Sequence, residues 1–304
     1  MPTTTTVSSN YAGRAAGEII GQAFKAADAI QKGLITVAED VPFKLNLRKI
    51  QYTNGTTAYT CGFAPAGAIT LNEKVLEPLK FKNDFDVCKE DFRSTWSTEI
   101  MGASAANPNA PADIMEAIQV EVLAAMAEKL GRDIWQGDNT NTDEFDGLIK
   151  QFVADSDVNK PTADAAVTEA NVLAKYLKAA LNEVPVALRS RDLTFAVSPD
   201  VFQAYMFYLN TQGIVYGNGN QDFAVTFGRH TITEDAGLPD NTVVIFEKKN
   251  VIFATGLLSD HNTVALSDED EVGLLTGKVR GKVVYSAAVG YYNGEEIVYL
   301  TLAD

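Results

Sequence analysis

Two stretches of alternating apolar and polar residues constrain the fold more than any other feature of the chain. The first covers residues 43–48 and the second covers residues 75–87. Such period-two alternation is typical of a β-strand with one covered face. The segment between the two stretches is rich in Gly, Ala, Thr and Pro, which favour turns. We therefore predict that residues 40–88 form a long two-stranded arm, a β-hairpin with a turn-rich distal part.

The arm needs a surface that covers its apolar face, because an isolated two-stranded hairpin is only marginally stable in water. A second subunit is the favoured partner, and a hairpin folded back on its own domain is the alternative. The predicted contact residues combine apolar side chains with cations, which would suit an acidic face of an identical subunit. They are Phe43, Lys44, Leu45, Leu47, Arg48, Leu79, Lys80, Phe81 and Lys82.

A long amphipathic helix is predicted after the arm. Apolar residues recur at every fourth position from Ile114 to Ile134, and Gly137 stands where such a helix would end. A helix of about 27 residues would span roughly 40 Å, which is long for a globular protein. We predict this helix at about residues 110–136, as a spine against which other elements pack.

Three further segments complete the predicted organisation. Residues 12–32 have the pattern of an amphipathic helix that stops at Gly33. Strand-like and helix-like patterns alternate over residues 165–259, which predicts a compact α/β subdomain. Residues 278–289 and 297–300 are rich in strand-forming residues, and we expect them to return to the sheet near the spine helix.

The charge and the apolar content exclude several classes of protein. The chain carries 25 basic and 40 acidic residues, a net charge of −15, which disfavours a generic nucleic-acid binder. No apolar run approaches the roughly 20 residues that span a bilayer, and the first residues lack the pattern of a signal peptide. We therefore expect a cytoplasmic protein whose cysteines, Cys61 and Cys88, are free thiols rather than a disulfide.

Motifs that carry chemistry are absent from the sequence. His230 and His261 are the two histidines, and neither has a ligand neighbour at a metal-binding spacing. There is no GxSxG elbow, and neither cysteine has the context of a nucleophile. We predict no catalytic, cofactor-binding or metal-binding residues, no cofactor, and no enzymatic activity.

Several short motifs occur in an order that resembles a known family. They are Glu73–Lys80, Gln136-Gly137-Asp138, Gly147-Leu148-Ile149, Val197–Phe202, Phe227–Ile232 and Gly237-Leu238-Pro239. Together with the arm and the spine helix, this order resembles the major capsid proteins of tailed double-stranded DNA phages, which have the Hong Kong 97-type fold. The resemblance covers about residues 40–300.

The resemblance implies an α+β fold with a defined division of the chain. It implies that the extended loop reaches over a neighbouring subunit and that the axial domain lies near the capsomer centre. The expected parts are an N-terminal arm (1–39), an extended loop (40–88), a peripheral domain (89–164, with return strands in 260–304) and an axial domain (165–259).

The resemblance also implies a structural role. Copies of the chain would form hexamers and pentamers of an icosahedral head that encloses double-stranded DNA, as part of a virion assembled in the cytoplasm of a bacterial host. The implied partners are the chain itself, a portal and decoration or head-completion proteins, with only weak non-specific contact to DNA and none to a membrane. Because about 40 residues precede the arm, the resemblance implies a separate scaffolding protein, or none.

Two alternatives stay open at the level of sequence. An encapsulin, a bacterial nanocompartment of the same fold, would enclose cargo enzymes instead of DNA. A cytoplasmic α/β enzyme would place its site in residues 165–259, and it predicts a small stable oligomer with a ligand pocket.

Overall fold

The structure is a computed structural model of the 304-residue chain. It describes residues 28–41, 43–53, 55–59, 61–62, 66–88, 112–213, 225–256, 265–269 and 276–303. Most of the predicted N-terminal helix lies outside these residues. Its last turn is α1 (Asp28–Gln31), which is followed by Gly33 at a φ of +64°. A glycine in this left-handed conformation is a common helix terminator, as the sequence predicted.

The arm is a hairpin, but it is shorter than the sequence indicated. Strands β2 (Leu45–Thr53) and β3 (Ala68–Leu76) pair in antiparallel register and form a sheet of their own. The predicted second strand is interrupted at Glu77-Pro78, and its remainder, β4 (Leu79–Cys88), pairs with a strand of the body instead. Proline lacks the amide hydrogen that a continuous ladder needs, so the chain changes sheets at this point.

The body contains a five-stranded sheet built around one long strand. This strand, β12 (Lys278–Tyr291), pairs on one side with β4 and on the other with β10 and β11. A short parallel strand, β1, completes the sheet beside β10. The bounds of the remaining strands are β1 (Thr36–Ala38), β10 (Val251–Thr255) and β11 (Ala265–Asp268).

Two helices pack with this sheet around the first hydrophobic core. The long helix is α2 (Ala112–Gln136), close to the predicted bounds, and α3 (Leu148–Ala154) follows it. From Leu123 to Ile134 the apolar face of α2 is buried at every third or fourth residue, as expected for an amphipathic helix. The largest fully buried side chains of this core are Trp135, Phe152, Phe246, Phe253 and Tyr291.

A six-stranded sheet forms the second half of the molecule. Its strand order is β5-β13-β9-β6-β8-β7, with mixed parallel and antiparallel pairs. The strands are β5 (Thr162–Ala163), β6 (Thr194–Val197), β7 (Thr226–Phe227), β8 (His230–Glu234), β9 (Val243–Phe246) and β13 (Val298–Leu302).

Helical segments of the second half pack against this sheet and enclose a separate core. The helix that begins at the predicted Ser198-Pro199 start is α5, in which proline occupies the first helical position. Short 3-10 turns at Lys248–Asn250 and Gly294–Glu296 connect strands of the two sheets. The other segments are a π-helix (Val172–Leu177), α4 (Lys178–Glu183) and α5 (Pro199–Thr211).

Two strands lie in the opposite sheet from the one that the sequence indicated. β10, within the predicted axial segment, pairs with β12 in the five-stranded sheet. β13, expected near the spine helix, pairs with β9 in the six-stranded sheet. All residues of β9 and β10 are buried, so the sequence of each strand is a short, largely apolar run. Such a run has no alternation that would indicate which sheet the strand joins. Only the turn at Lys248–Asn250, which separates them, redirects the chain between sheets.

Candidate assembly interface

The root of the hairpin is fixed to the body through one of its faces, here called the inner face. Residues that oppose each other in an antiparallel pair share a face, and Leu47 opposes Lys74. Leu47 is 2% exposed. Leu47 and Leu76 pack over Gly290 of β12. A Cβ at Gly290 would lie 3.3 Å from Leu76 Cδ1 and 3.5 Å from Leu47 Cδ1, so the glycine leaves room for these two side chains.

Two lysines add polar contacts to the inner face. The Nζ atom of Lys74 lies 3.5 Å from the centroid of the Tyr291 ring, a cation–π contact. The Nζ atom of Lys49 lies 3.0 Å from Oε1 of Glu295. Burial lowers the pKa of Lys74, and the carboxylate of Asp155 opposes that shift. The inner face therefore holds the arm by apolar and charged contacts at its root.

The opposite, outer face carries an exposed apolar patch toward the distal end of the arm. Ile50 opposes Leu71, and Tyr52 opposes Ile69, so the four side chains are neighbours on one face. Their exposed fractions are 73% for Ile50, 63% for Tyr52, 75% for Ile69 and 55% for Leu71. We call these four residues the arm patch. A contiguous exposed apolar surface of this kind marks an interaction site more often than a solvated surface.

The charges of the arm are largely neutralised within the chain. Arg48 Nε lies 2.9 Å from Oε1 of Glu73, its direct cross-strand partner. Residues 40–88 contain six basic and five acidic residues, so the arm is close to neutral. Further ion pairs join Lys44 with Glu77, Lys49 with Glu295, Lys82 with Asp84, and Asp86 with Lys278. The structure thus gives little support to the expectation that a basic arm docks on an acidic face.

The nine predicted contact residues fall into different environments. Leu47 is buried against the body, and Phe81 packs 5.5 Å from Tyr285, measured between ring centroids. Phe43 and Leu79 are exposed. The half-buried or exposed remainder comprises Lys44, Leu45, Arg48, Lys80 and Lys82. Their role between subunits stays a prediction, and those on β4 belong to the body sheet rather than to the hairpin.

Sequence reasoning missed the arm patch. The alternating stretch predicted at residues 43–48 stops short of Ile50 and Tyr52, where the alternation of apolar residues resumes on the other face. Ile69 and Leu71 alternate in the same way within the segment that was predicted to be rich in turns. The signal that was available is the change of face, in which the apolar positions move from odd to even numbers after Leu47.

Three of the short motifs meet in space at the C-terminal end of α2. A Cβ on Gly147 would lie 2.6 Å from the backbone nitrogen of Gly137. A Cβ on Gly237 would lie 2.3 Å from the carbonyl oxygen of Gly131. Backbones approach this closely only where no side chain intervenes, which explains the glycines in these motifs. We call this contact the helix-end junction, and it links α2 to the loop after β8.

A buried hydrogen bond holds the helix-end junction. Trp135 Nε1 donates to Oδ2 of Asp235 at 2.8 Å, and the Gly237 amide donates to Oδ1 at 2.9 Å. Burial raises the pKa of Asp235, and the two donated hydrogen bonds oppose that shift. The junction therefore joins the two halves of the molecule through one enclosed carboxyl group.

The loop after α2 is organised around Lys150. Its ammonium group donates to Oδ1 of Asp138 at 2.7 Å and to Oδ1 of Asn139 at 2.9 Å, and it also contacts Asp146. The hydrogen bond from Lys150, with a further one from the Thr140 amide, lowers the pKa of Asp138 to about 2. Lys150 thus neutralises Asp138 and Asp146, while Lys129 of α2 pairs with Asp143 and Glu144.

Metal ligands, the two thiols and the lengths of the helices complete the description of the chain. Within them, no group of three or more His, Cys, Asp or Glu side chains could hold a metal ion. Cys61 is exposed and Cys88 is half-buried, and both are free thiols. None of the helices in the described ranges is both long and apolar enough to cross a membrane.

Solved structures match the chain over nearly its whole length, whereas no family model and no curated protein matches it. The capsid of a native GTA particle gives a TM-score of 0.59 at 10% identity, covering 92% of this chain and 91% of that chain. The capsid of Myoviridae phage XM1 gives a TM-score of 0.58 at 12% identity, covering 91% of this chain and 92% of that chain. A virus-like particle from Pyrococcus furiosus gives 0.54 at 12% identity, with coverages of 93% and 98%.

The chain therefore has the α+β, Hong Kong 97-type fold of these capsid proteins, as its sequence predicted. The likeness is one of fold, since the identities are 10% and 12%.

Proposed function

We propose that the chain is the shell-forming subunit of an icosahedral phage head, a structural protein that assembles with copies of itself into hexamers and pentamers. On this proposal the shell encloses double-stranded DNA, and the chain performs no catalysis. The observation that carries the proposal is the projecting arm with an uncovered apolar patch on a fold that neighbours in capsid particles share.

The arm patch supplies a physical reason for assembly. Burying its four side chains on a neighbouring subunit would contribute on the order of 5 kcal/mol. The patch lies on the face of the hairpin opposite to the root contacts, so it stays available while the inner face holds the body. Contacts between different surfaces of identical subunits close into rings, and each arm then overlaps its neighbour. Many modest contacts of this kind can stabilise a large shell.

The proposed interior agrees with the charge of the chain. A net charge of −15 limits strong attraction to DNA phosphates, so contact with packaged DNA would be weak and non-specific. The other proposed partners are a scaffolding protein, a portal, and decoration or head-completion proteins. The proposed location is the virion capsid, after assembly in the cytoplasm of the bacterial host.

A nanocompartment shell is the second candidate function. It is favoured by the virus-like particle from Pyrococcus furiosus, which this chain matches with coverages of 93% and 98%. Particle contents distinguish the two functions, because a phage head protects DNA from added nuclease and a nanocompartment encloses protein. Nuclease treatment of particles from the natural host, followed by extraction of nucleic acid and protein, makes this distinction.

The proposed role of the arm is tested by disrupting one opposed pair in the patch. We expect the double substitution Ile50→Ser with Leu71→Ser to weaken each arm contact about 30-fold or more, because two buried apolar side chains are lost. Particle yield, measured by sedimentation and electron microscopy, should fall accordingly, while the thermal unfolding temperature of the isolated subunit stays near that of the wild type.

The neighbouring pair of the hairpin provides the matched control. Gln51 opposes Thr70 on the inner face, one position from the disrupted pair. Replacing both by serine changes the same two strands without touching the patch, so particle yield should be preserved. Wild-type yield from the Ile50 and Leu71 variant would show that the patch has no part in assembly.

A further inference from the structure

The arm is attached to the body almost entirely at its root. In strands β2 and β3 of the hairpin only Leu47 is buried, and the inner face beyond Lys49 carries Gln51 and Thr53, which are exposed. The direction in which the hairpin projects is therefore set by the few contacts of the root. Any contact that fixes this direction also fixes where the arm patch lies relative to the body.

Lys74 makes the contact that couples the arm to the interior of the body. It lies on β3 opposite Leu47, with its Nζ atom 3.5 Å from the centroid of the Tyr291 ring. Tyr291 belongs to β12 and is only 1% exposed. The ring cannot move without disturbing the first core, so it is a fixed point for the lysine.

The environment of Tyr291 strengthens its attraction for a cation. Its hydroxyl group donates a hydrogen bond to Oδ2 of Asp155 at 2.7 Å. Asp155 is the residue directly after the end of α3. Donation to a carboxylate increases the electron density of the phenol, and the ring face attracts a cation through its negative potential. Lys74, Tyr291 and Asp155 thus form a chain of contacts from the arm to α3.

We propose that Lys74 is the residue that positions the arm, and that its contact with the Tyr291–Asp155 pair holds the hairpin in the direction that assembly requires. This inference rests on the proposed function, because the direction of the arm matters only if the arm docks on a neighbour. Lys49 and Glu295 form a second contact at the same root, in which the Lys49 side chain is half-buried.

The direction of the arm is measured on dilute subunits that sedimentation shows to be unassembled. Cys61 and Cys88 are replaced by serine, and new cysteines at Thr70 of β3 and at Lys249, an exposed position in a body turn, carry spin labels. Pulsed electron paramagnetic resonance then gives the distribution of arm-to-body distances. Lys74→Met, which keeps an unbranched apolar stem but removes the cation, should raise the population outside the main peak about threefold.

Two further variants separate the contact from general effects of charge. Lys74→Arg retains a cation above the ring and should restore the narrow distribution. Lys44→Met removes a cation that is paired with Glu77 near the same root, so it should leave the distribution unchanged. Lys74→Met should also lower particle yield, with an unchanged unfolding temperature.

The inference is overturned if Lys74→Met gives the wild-type distribution, if Lys44→Met broadens it equally, or if a broadened distribution leaves particle yield unaffected. A wild-type chain that never forms particles would instead contradict the proposed function. Because the distances are recorded on unassembled subunits, they report on the contact of Lys74 in either case.

Discussion

A single residue, Asp235, connects the two halves of the molecule. Its carboxyl group is fully buried and accepts hydrogen bonds from Trp135 and Gly237. Trp135 in turn packs 6.3 Å from Phe246 of the six-stranded sheet, measured between ring centroids. A charge in this enclosed position is unfavourable even with two donors, because water no longer solvates it.

The buried carboxyl group predicts a particular dependence of stability on pH. The folded pKa of Asp235 is raised above its ordinary value, so the folded state binds this proton more readily than the unfolded chain does. Its contribution to stability is therefore largest at low pH and is lost as the pH rises through the folded pKa. Asp235→Asn removes this titration, so the free energy of unfolding of the variant should fall less as the pH rises from about 4, near the ordinary pKa of an aspartate, to about 7.5.

Urea unfolding of both proteins at the two pH values measures the effect. Asp133, whose pKa burial also raises, is present in both proteins and cancels in the comparison. Equal changes in the free energy of unfolding for the wild type and Asp235→Asn would show that the carboxyl group titrates alike in the folded and unfolded states.

The arm behaves as a separate element, because it shares little of either core. Among the described residues of the hairpin, only Leu47 is buried, and β4 pairs with β12 independently of it. We predict that replacing residues 45–76 by a short Gly/Ser linker leaves a body that unfolds cooperatively and does not form particles. Near-ultraviolet circular dichroism, recorded during heating, tests whether the body unfolds cooperatively. Sedimentation of the folded variant tests whether it forms particles.

The outcome for the linker variant separates two descriptions of the hairpin. If the arm is only an assembly device, the aromatic signals of Trp135 and Tyr291 persist without it. If the body loses its cooperative transition, the hairpin is part of the folding unit and the account of it as an appendage is wrong.

The elements differ in how far their sequences determine them. The long helix α2 could be predicted because apolar residues recur over many turns, and the hairpin because its strands alternate. The pairing of β4 with the body sheet could not be predicted. Its alternating pattern fits a strand of the hairpin as well as a strand of the body sheet. Pro78, where the ladder stops, was the available clue.

The same limit applies to the molecule as a whole. The order of the short motifs was sufficient to indicate the Hong Kong 97-type fold, which the structural matches confirm. The exchange of β10 and β13 between sheets was not visible in the sequence. β10 is fully buried and β13 is buried over Val298–Leu300, so neither strand has the alternating polar face that would show its neighbours. The arm patch was missed for a related reason, as its meaning depends on which face the body covers.

The central claim, that the chain builds a closed shell from copies of itself, is tested most directly by electron microscopy of the purified protein together with its sedimentation profile. We predict closed particles with rings of five and six subunits, in which the arm of each subunit lies on its neighbour. A protein that remains a monomer or dimer at high concentration, even with a scaffolding protein and crowding agents added, would contradict the claim.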